Sequence, residues 1–236
     1  MFGMIFPLIS QAQNAQRALA SCRAPYSKVD LDINNVRAKM MNAGDMWWDL
    51  SNAKYEIPKG SGKNSVFSGA VWMGGVDDGG QLCVAAMTYR QSGLDFFSGP
   101  LDTTTATTFD TVCDRYDYIW KVNRADVEAF RANYQNPAYT IPEDILNWPG
   151  NRDAARGHAK YLAPFTDVDG DGIYNARNGD YPAFALNGNN NCDYHLLGDQ
   201  SLWWVFNDKG CIHSETGGQA LGVQVHATEY AYKSSN

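Results

Sequence analysis

Three aspartates at alternate positions, Asp167, Asp169 and Asp171, open the segment DVDGDGIYNARNGD, residues 167–180. Carboxylates this close repel one another, so either open solvent or a bound cation must compensate. Counting Asp167 as position 1, the aspartates fall at 1, 3 and 5. Gly172 at 6 permits a sharp turn, and Ile173 at 7 offers its backbone carbonyl, as in calcium loops of the EF-hand type. Position 12 is Asn178 where a full EF-hand has a bidentate glutamate, and no long helices flank the loop. The spacing therefore predicts a structural Ca2+ loop, its shell completed by Asp180 or Asn178. The competing reading is a solvated acidic turn.

No other motif carries as sharp a mechanism. The pairs Trp47-Trp48 and Trp203-Trp204 lie in strand-like text, where neighbours face opposite ways. One ring of each pair is expected in the core and the other outward, able to stack on a sugar or to pack against a neighbour. His158, His195, His213 and His226 form no HExxH, and the pairs His213/Glu215 and His226/Glu229 read as surface or satisfied strand positions. There is no GxSxG nucleophile turn. The run GSGKNS at 60–65 lacks the first glycine and the Ser/Thr of a phosphate loop. Carboxylate pairs for glycoside hydrolysis depend on a separation that only a structure can give.

The five cysteines, Cys22, Cys83, Cys113, Cys192 and Cys211, contain no CxxC and fit no zinc module. Cys192 and Cys211 bracket CDYHLLGDQSLWWVFNDKGC. A disulfide between them would close a loop worth ~3 kcal/mol in the chain-entropy model. Cys83 with Cys113 is the second pairing considered, which leaves Cys22 over.

The elements that must position these residues read as mainly β, either β-sandwich-like or mixed antiparallel sheets, with one or two short helices and the calcium loop. The segment SVFSGAVWMGGVDDGGQLCVAAMTYRQ predicts a hairpin turning on VDDGG. LDTTTATTFDT predicts a loop or an exposed edge strand. In NRADVEAFRANY, Asn123 is placed to cap a helix whose Val127, Phe130 and Tyr134 share a face and which ends before Pro137. IPEDILNW predicts a further turn of helix from Pro142. LWWVFND and the alternating run from Leu221 to Tyr230 predict strands.

With 236 residues, 44% hydrophobic, 13% aromatic and 19% charged, the chain is long enough to bury a substantial core. A net charge of −7 without any Lys/Arg cluster argues against nucleic acid as a partner. Residues 1–28, beginning MFGMIFPLISQAQNAQ, resemble the apolar core and cleavage side of a secretory signal without its basic start. No other stretch approaches a membrane span. Residues 29–236 are expected to form one β-rich domain. Its ending in YAYKSSN directly after a strand suggests the N-terminal part of a longer protein.

Several longer phrases share a resemblance: LDINNVRAKMMNAGDMWWDL, AKYEIPKGSGKNSVFSGAVWMGGVDDGGQL, ILNWPG, YLAPFTDVDGDGIYNARNGDYP and GDQSLWWVFNDKGCIHSETGG. From about Asp30 to Tyr230 the chain resembles the N-terminal region of large secreted or surface proteins of the Bacteroidota, exported by the type IX secretion system and often ending in a sorting domain. The resemblance implies an extracellular or cell-surface location, further β-domains of the same chain as partners, and the acidic loop as a calcium site. In that family an acidic residue usually stands at the place of Asp180. Cys192 and Cys211 are particular to this chain.

The expected function is a non-enzymatic module of adhesion or assembly, cell-surface or filament-forming, held by calcium and partnered by domains of its own chain or by self-assembly. The alternative is a glycan-binding or glycan-cleaving module.

Overall fold

The computed structural model describes residues 21–184 and 195–233. Most of the signal-like segment, and Cys192, lie outside the described residues. Among the described residues the fold is mostly β, built from antiparallel sheets with three short α-helices.

The first sheet joins β1 (Lys28–Leu31), β2 (Arg37–Met41), β3 (Asp45–Met46), β4 (Tyr55–Glu56), β5 (Asn64–Val66) and β6 (Gly69–Ala70). A separate hairpin follows from β7 (Trp72–Val76) and β8 (Leu82–Ala86). Its turn forms where the sequence predicts it, because Asp77 caps it locally. The Asp77 carboxylate accepts the Gly79 and Gln81 amides at 2.9 and 2.8 Å, and Gly80 adopts φ +77°.

The second large sheet centres on β13 (Gln200–Asn207). It pairs with β9 (Phe97–Ser98), β10 (Trp120–Asn123) and β14 (Gln224–Ala231). All eight residues of β13 are buried. Trp203 and Val205 enter one core, with residues of the helical side; Leu202, Trp204 and Phe206 enter the other, with Leu31, Met40, Ala85 and Met87. A strand covered on both faces hides alternate residues equally well, so the expected outward ring is absent: Trp203 is 0% and Trp204 5% exposed. The other pair sits in an irregular turn, with Trp47 at φ +68°, so strand alternation does not govern it. Trp48 is buried and donates its indole N–H to Asp45 at 3.1 Å, while Trp47 packs half-buried against the second core.

The helices cover the first core. α1 (Asp110–Tyr116) begins inside the threonine-rich run read as a loop or edge strand, and it buries Val112, Cys113 and Tyr116. α2 (Arg124–Asn133) buries Val127 and Phe130, with Tyr134 against the same cluster. Asn123 stands at its N-terminus without capping a backbone amide. Its side chain instead donates to Asp126 at 2.8 Å and accepts from Gln200 at 2.9 Å. α3 (Glu143–Leu146) starts after Pro142. The strand expected from Leu221 begins at Gln224, because the buried Asp208 carboxylate takes the amides of Leu221, Gly222 and Val223 at 2.5 to 2.9 Å and holds them in a loop.

The disulfide among the described residues differs from the expected Cys83–Cys113 pairing, and the Cys192–Cys211 pairing falls on a residue outside the described ones. Cys22 bonds Cys113, tying residues 21–27 to α1. Cys83 is a buried free thiol on β8, away from the small cluster of Cys22, Phe97 and Cys113, so the Cys83–Cys113 pairing is excluded. Cys211, assigned above to Cys192, is a free thiol packed against that same cluster. Gly210 beside it accepts the Cys22 amide at 3.0 Å, which sets Cys211 next to the bridge without making it part of it.

Candidate metal centre

Two short strands, β11 (Phe165–Thr166) and β12 (Tyr181–Pro182), pair antiparallel and clasp the acidic loop at its base. That pairing brings Asp167, the first loop residue, beside Asp180, the last. Asp180 is fully buried and its two oxygens accept the amides of Val168 and Asn175, both at 2.8 Å. Asp167 accepts the amides of Gly170 at 2.7 Å and Gly172 at 2.8 Å. Both glycines lie at positive φ, +76° and +77°, where a side chain would be strained. The loop is therefore curled around its own carboxylates.

Asp169 completes the group. One oxygen each from Asp167, Asp169 and Asp180 lie within 4.8 Å of one another. Calcium–oxygen distances are about 2.3–2.6 Å, so three points this close can share one coordination sphere. All three donors are hard carboxylate oxygens, the type calcium selects. Each oxygen that takes an amide keeps a second lone pair for a cation.

Two of the remaining predicted ligands, Asp171 and Asn178, make other contacts. Asp171 turns to the Ile173 amide at 2.7 Å and does not join the trio. The Ile173 side chain is exposed. Asn178 donates its side-chain N–H to Asp169 at 2.8 Å, so offering its oxygen to a cation requires the amide to turn over. Sequence reading missed what anchors the loop. Asn151 accepts the Tyr174 amide at 2.6 Å and donates to its carbonyl at 2.8 Å, while the Tyr174 hydroxyl donates to the Ile145 carbonyl. Burial, and then the neighbouring Asp180, push the Tyr174 phenol strongly upward, so it stays a neutral donor.

No family model, curated protein or solved structure matches this chain. Its chemistry has to be read from its own side chains.

A cleft of about 510 Å³ lies where α1, β10 and α3 meet, with Tyr118 and Trp120 on its wall and carboxylates around it. Those carboxylates are largely committed. Asp114 pairs with Arg23 at 2.6 Å. Asp117 accepts the amides of Tyr26 and Ser27 at 3.1 to 3.3 Å. Asp144, close to the cleft, accepts the Tyr118 hydroxyl at 2.8 Å. Burial raises the Asp144 carboxyl above its usual value; burial and that hydrogen bond push Tyr118 up to about 12.

His213, read as a surface or satisfied position, is buried and satisfied. Its ring nitrogens face the carbonyls of Val84 and Asp208, each at 2.7 Å, with the Asp95 and Asp208 carboxylates at 3.8 and 4.0 Å. Both ring nitrogens thus lie within hydrogen-bond distance of a backbone carbonyl, and the tautomer decides which of them donates. Asp95 also takes the Glu215 amide at 2.9 Å and the Thr216 hydroxyl at 2.7 Å. This buried cluster thereby fixes the 213–216 loop against β8.

Proposed function

We propose that the chain is a non-enzymatic extracellular module of adhesion or assembly whose acidic loop holds a structural calcium ion. The observation that carries the reading is the convergence of Asp167, Asp169 and Asp180, residues from opposite ends of a fourteen-residue loop, into one oxygen-only group. Calcium would supply charge neutralisation there, and no chemistry beyond it. Asp167 and Asp180 would hold the two ends of the loop together, Asp169 would close the group, and the glycines at 170 and 172 allow the backbone to curl tightly enough.

Two further observations support the setting. The Cys22–Cys113 disulfide suits an oxidising compartment, and among the described residues no helix is long and apolar enough to cross a membrane. Export by the type IX route, in a longer surface protein, is the origin we propose from the phrases quoted above. The commitment of Asp114, Asp117 and Asp144 to structural partners supports a non-catalytic role. The 510 Å³ cleft keeps a glycan-binding reading alive through Tyr118 and Trp120. Neither tryptophan pair favours it, since three of the four rings are buried and Trp47 packs into the second core.

Calcium calorimetry on the chain, with a glycan array and a broad hydrolase screen beside it, tests the proposal. Millimolar or tighter calcium binding without sugar binding or turnover is the expected result. Turnover abolished by one carboxylate substitution would replace it with an enzyme, and selective sugar binding with a glycan module.

A further inference from the structure

The water-facing side of an antiparallel ribbon is ordinarily polar. The β7–β8 hairpin breaks this rule. Its register pairs Trp72 with Ala86, Gly74 with Val84 and Val76 with Leu82, which puts six residues on one face without a polar side chain among them. Trp72, Val76 and Leu82 are 70%, 68% and 66% exposed. The opposite face, through Met73, Ala85 and the adjoining Met87, is already spent on the second core. Exposed apolar patches of this kind mark binding surfaces.

The Trp72 ring is held in place, because its indole N–H donates to the Met87 carbonyl at 3.1 Å. Beside it, where Gly74 contributes no side chain, opens a cleft of about 480 Å³ lined by Trp72, Gly74, Val84, Ala86, Thr88 and Glu215 among others. Glu215 is the only charged side chain that lines it among the described residues. One carboxylate oxygen accepts the Thr88 hydroxyl; the other is shielded from water and has no hydrogen-bond partner among the described residues. A carboxylate left in that state costs free energy, and a cation entering the cleft relieves the cost.

We propose that this cleft receives a lysine or arginine side chain from a protein partner. The aliphatic stem would lie over Gly74, Val84 and Ala86, and the cationic head would meet the Trp72 face and the Glu215 carboxylate. Charge complementarity identifies the occupant. The wall is apolar and aromatic with a single uncompensated negative charge, Asp77 and Asp78 at the hairpin turn add the same sign, and the whole chain carries −7. A neutral apolar side chain would leave Glu215 unpaired. A second copy docked face to face would bring another Glu215 and no cation. The proposal rests on the contact-module reading and names the partner's chemistry.

The test is two-dimensional NMR of the calcium-free chain titrated with four probes. They are Nα-acetyl-lysine methylamide, Nα-acetyl-arginine methylamide, the neutral Nα-acetyl-norleucine methylamide, and a soluble β-glucan oligosaccharide. The Trp72 indole N–H and the amides of residues 84–88 and 215 should shift saturably at millimolar lysine or arginine probe. Glu215→Gln and Trp72→Leu should each weaken binding at least about fivefold; because Trp72→Leu also removes the indole donor to the Met87 carbonyl, its amide spectrum away from the hairpin is compared with the parent's to show that the fold persists. Equal shifts with norleucine, shifts with the oligosaccharide alone, or cation binding unchanged in Glu215→Gln would each overturn the proposal. Calcium binding is measured apart from these probes, so failure here is distinguishable from failure of the calcium module.

Discussion

Glu229 lies on β14 opposite Leu202, in a sheet whose neighbouring side chains are apolar. Burial pushes its carboxyl from 4.5 up to about 7; the Trp47 indole, which lowers it slightly, approaches without closing a hydrogen bond. Because the folded state holds the proton more tightly than the unfolded chain, this group's contribution is fully present below pH 4.5. It is lost as pH rises through about 7. A shift of this size corresponds to about 3 kcal/mol between the two limits, since each pKa unit is about 1.4 kcal/mol. Glu229→Gln removes the ionisation and keeps the shape. Urea unfolding followed by tryptophan fluorescence should therefore show the variant close to wild type at pH 4.5 and more stable by about 2–3 kcal/mol at pH 8. Burial lowers His226 and His158, which gives slopes of the opposite sign as pH falls; the difference between variant and parent cancels them. A stability difference that does not change between pH 4.5 and 8 would refute the argument.

Three further outcomes follow from the packing. Replacing Cys22 and Cys113 by alanine opens a bridge spanning 91 residues and should cost about 4–5 kcal/mol in the chain-entropy model, read from the urea midpoint; an unchanged midpoint contradicts it. Trp203→Ala, in the middle of the doubly covered β13, should cost about 3–5 kcal/mol and leave the millimolar lysine-probe shifts at Trp72 intact in the folded fraction. Gly210→Ala would set a Cβ 2.4 Å from the Phe97 side chain, so thermal unfolding should show a loss of about 1–3 kcal/mol through overpacking, whereas an unshifted transition would mean that Phe97 moves aside freely.

Features that depend on neighbours in sequence were legible. The VDDGG turn needs only Asp77 and Gly80, and α2 needs its 127/130/134 face and Pro137. Features that depend on remote closure were not. Cys22 meets Cys113 across 91 residues, and spacing alone favoured nearer partners. Trp204 is buried because a second core covers the other face of β13, which no alternation within LWWVFND can reveal. α1 was masked by threonines, whose β-branched side chains suit strands better than helices. In the acidic loop the spacing rule named Asp171, yet Asp171 turns to its own backbone, and Asp180 joins the trio because β11 and β12 bring the loop ends together. His213 and Glu215 were read only as surface or satisfied positions, and the contacts that hold them were hidden because their partners Asp95 and Thr88 lie more than a hundred residues upstream. A polar residue in an otherwise apolar fold was the only signal the sequence offered for them.

Hydrogen exchange across residues 165–182, with calcium and with chelator, tests the central claim most directly when run on the parent chain and on Asp169→Asn, Asp180→Asn and Asp171→Asn. Extracellular calcium modules bind with dissociation constants of about 0.1–1 mM, so at ~1 mM calcium the global gain is only ~0.4–1.4 kcal/mol and the response should concentrate in the loop. The account predicts calcium-dependent protection there in the parent and in Asp171→Asn, and its loss in Asp169→Asn and Asp180→Asn. Equal protection with calcium and with chelator in the parent chain would contradict it and leave the acidic run a solvated turn.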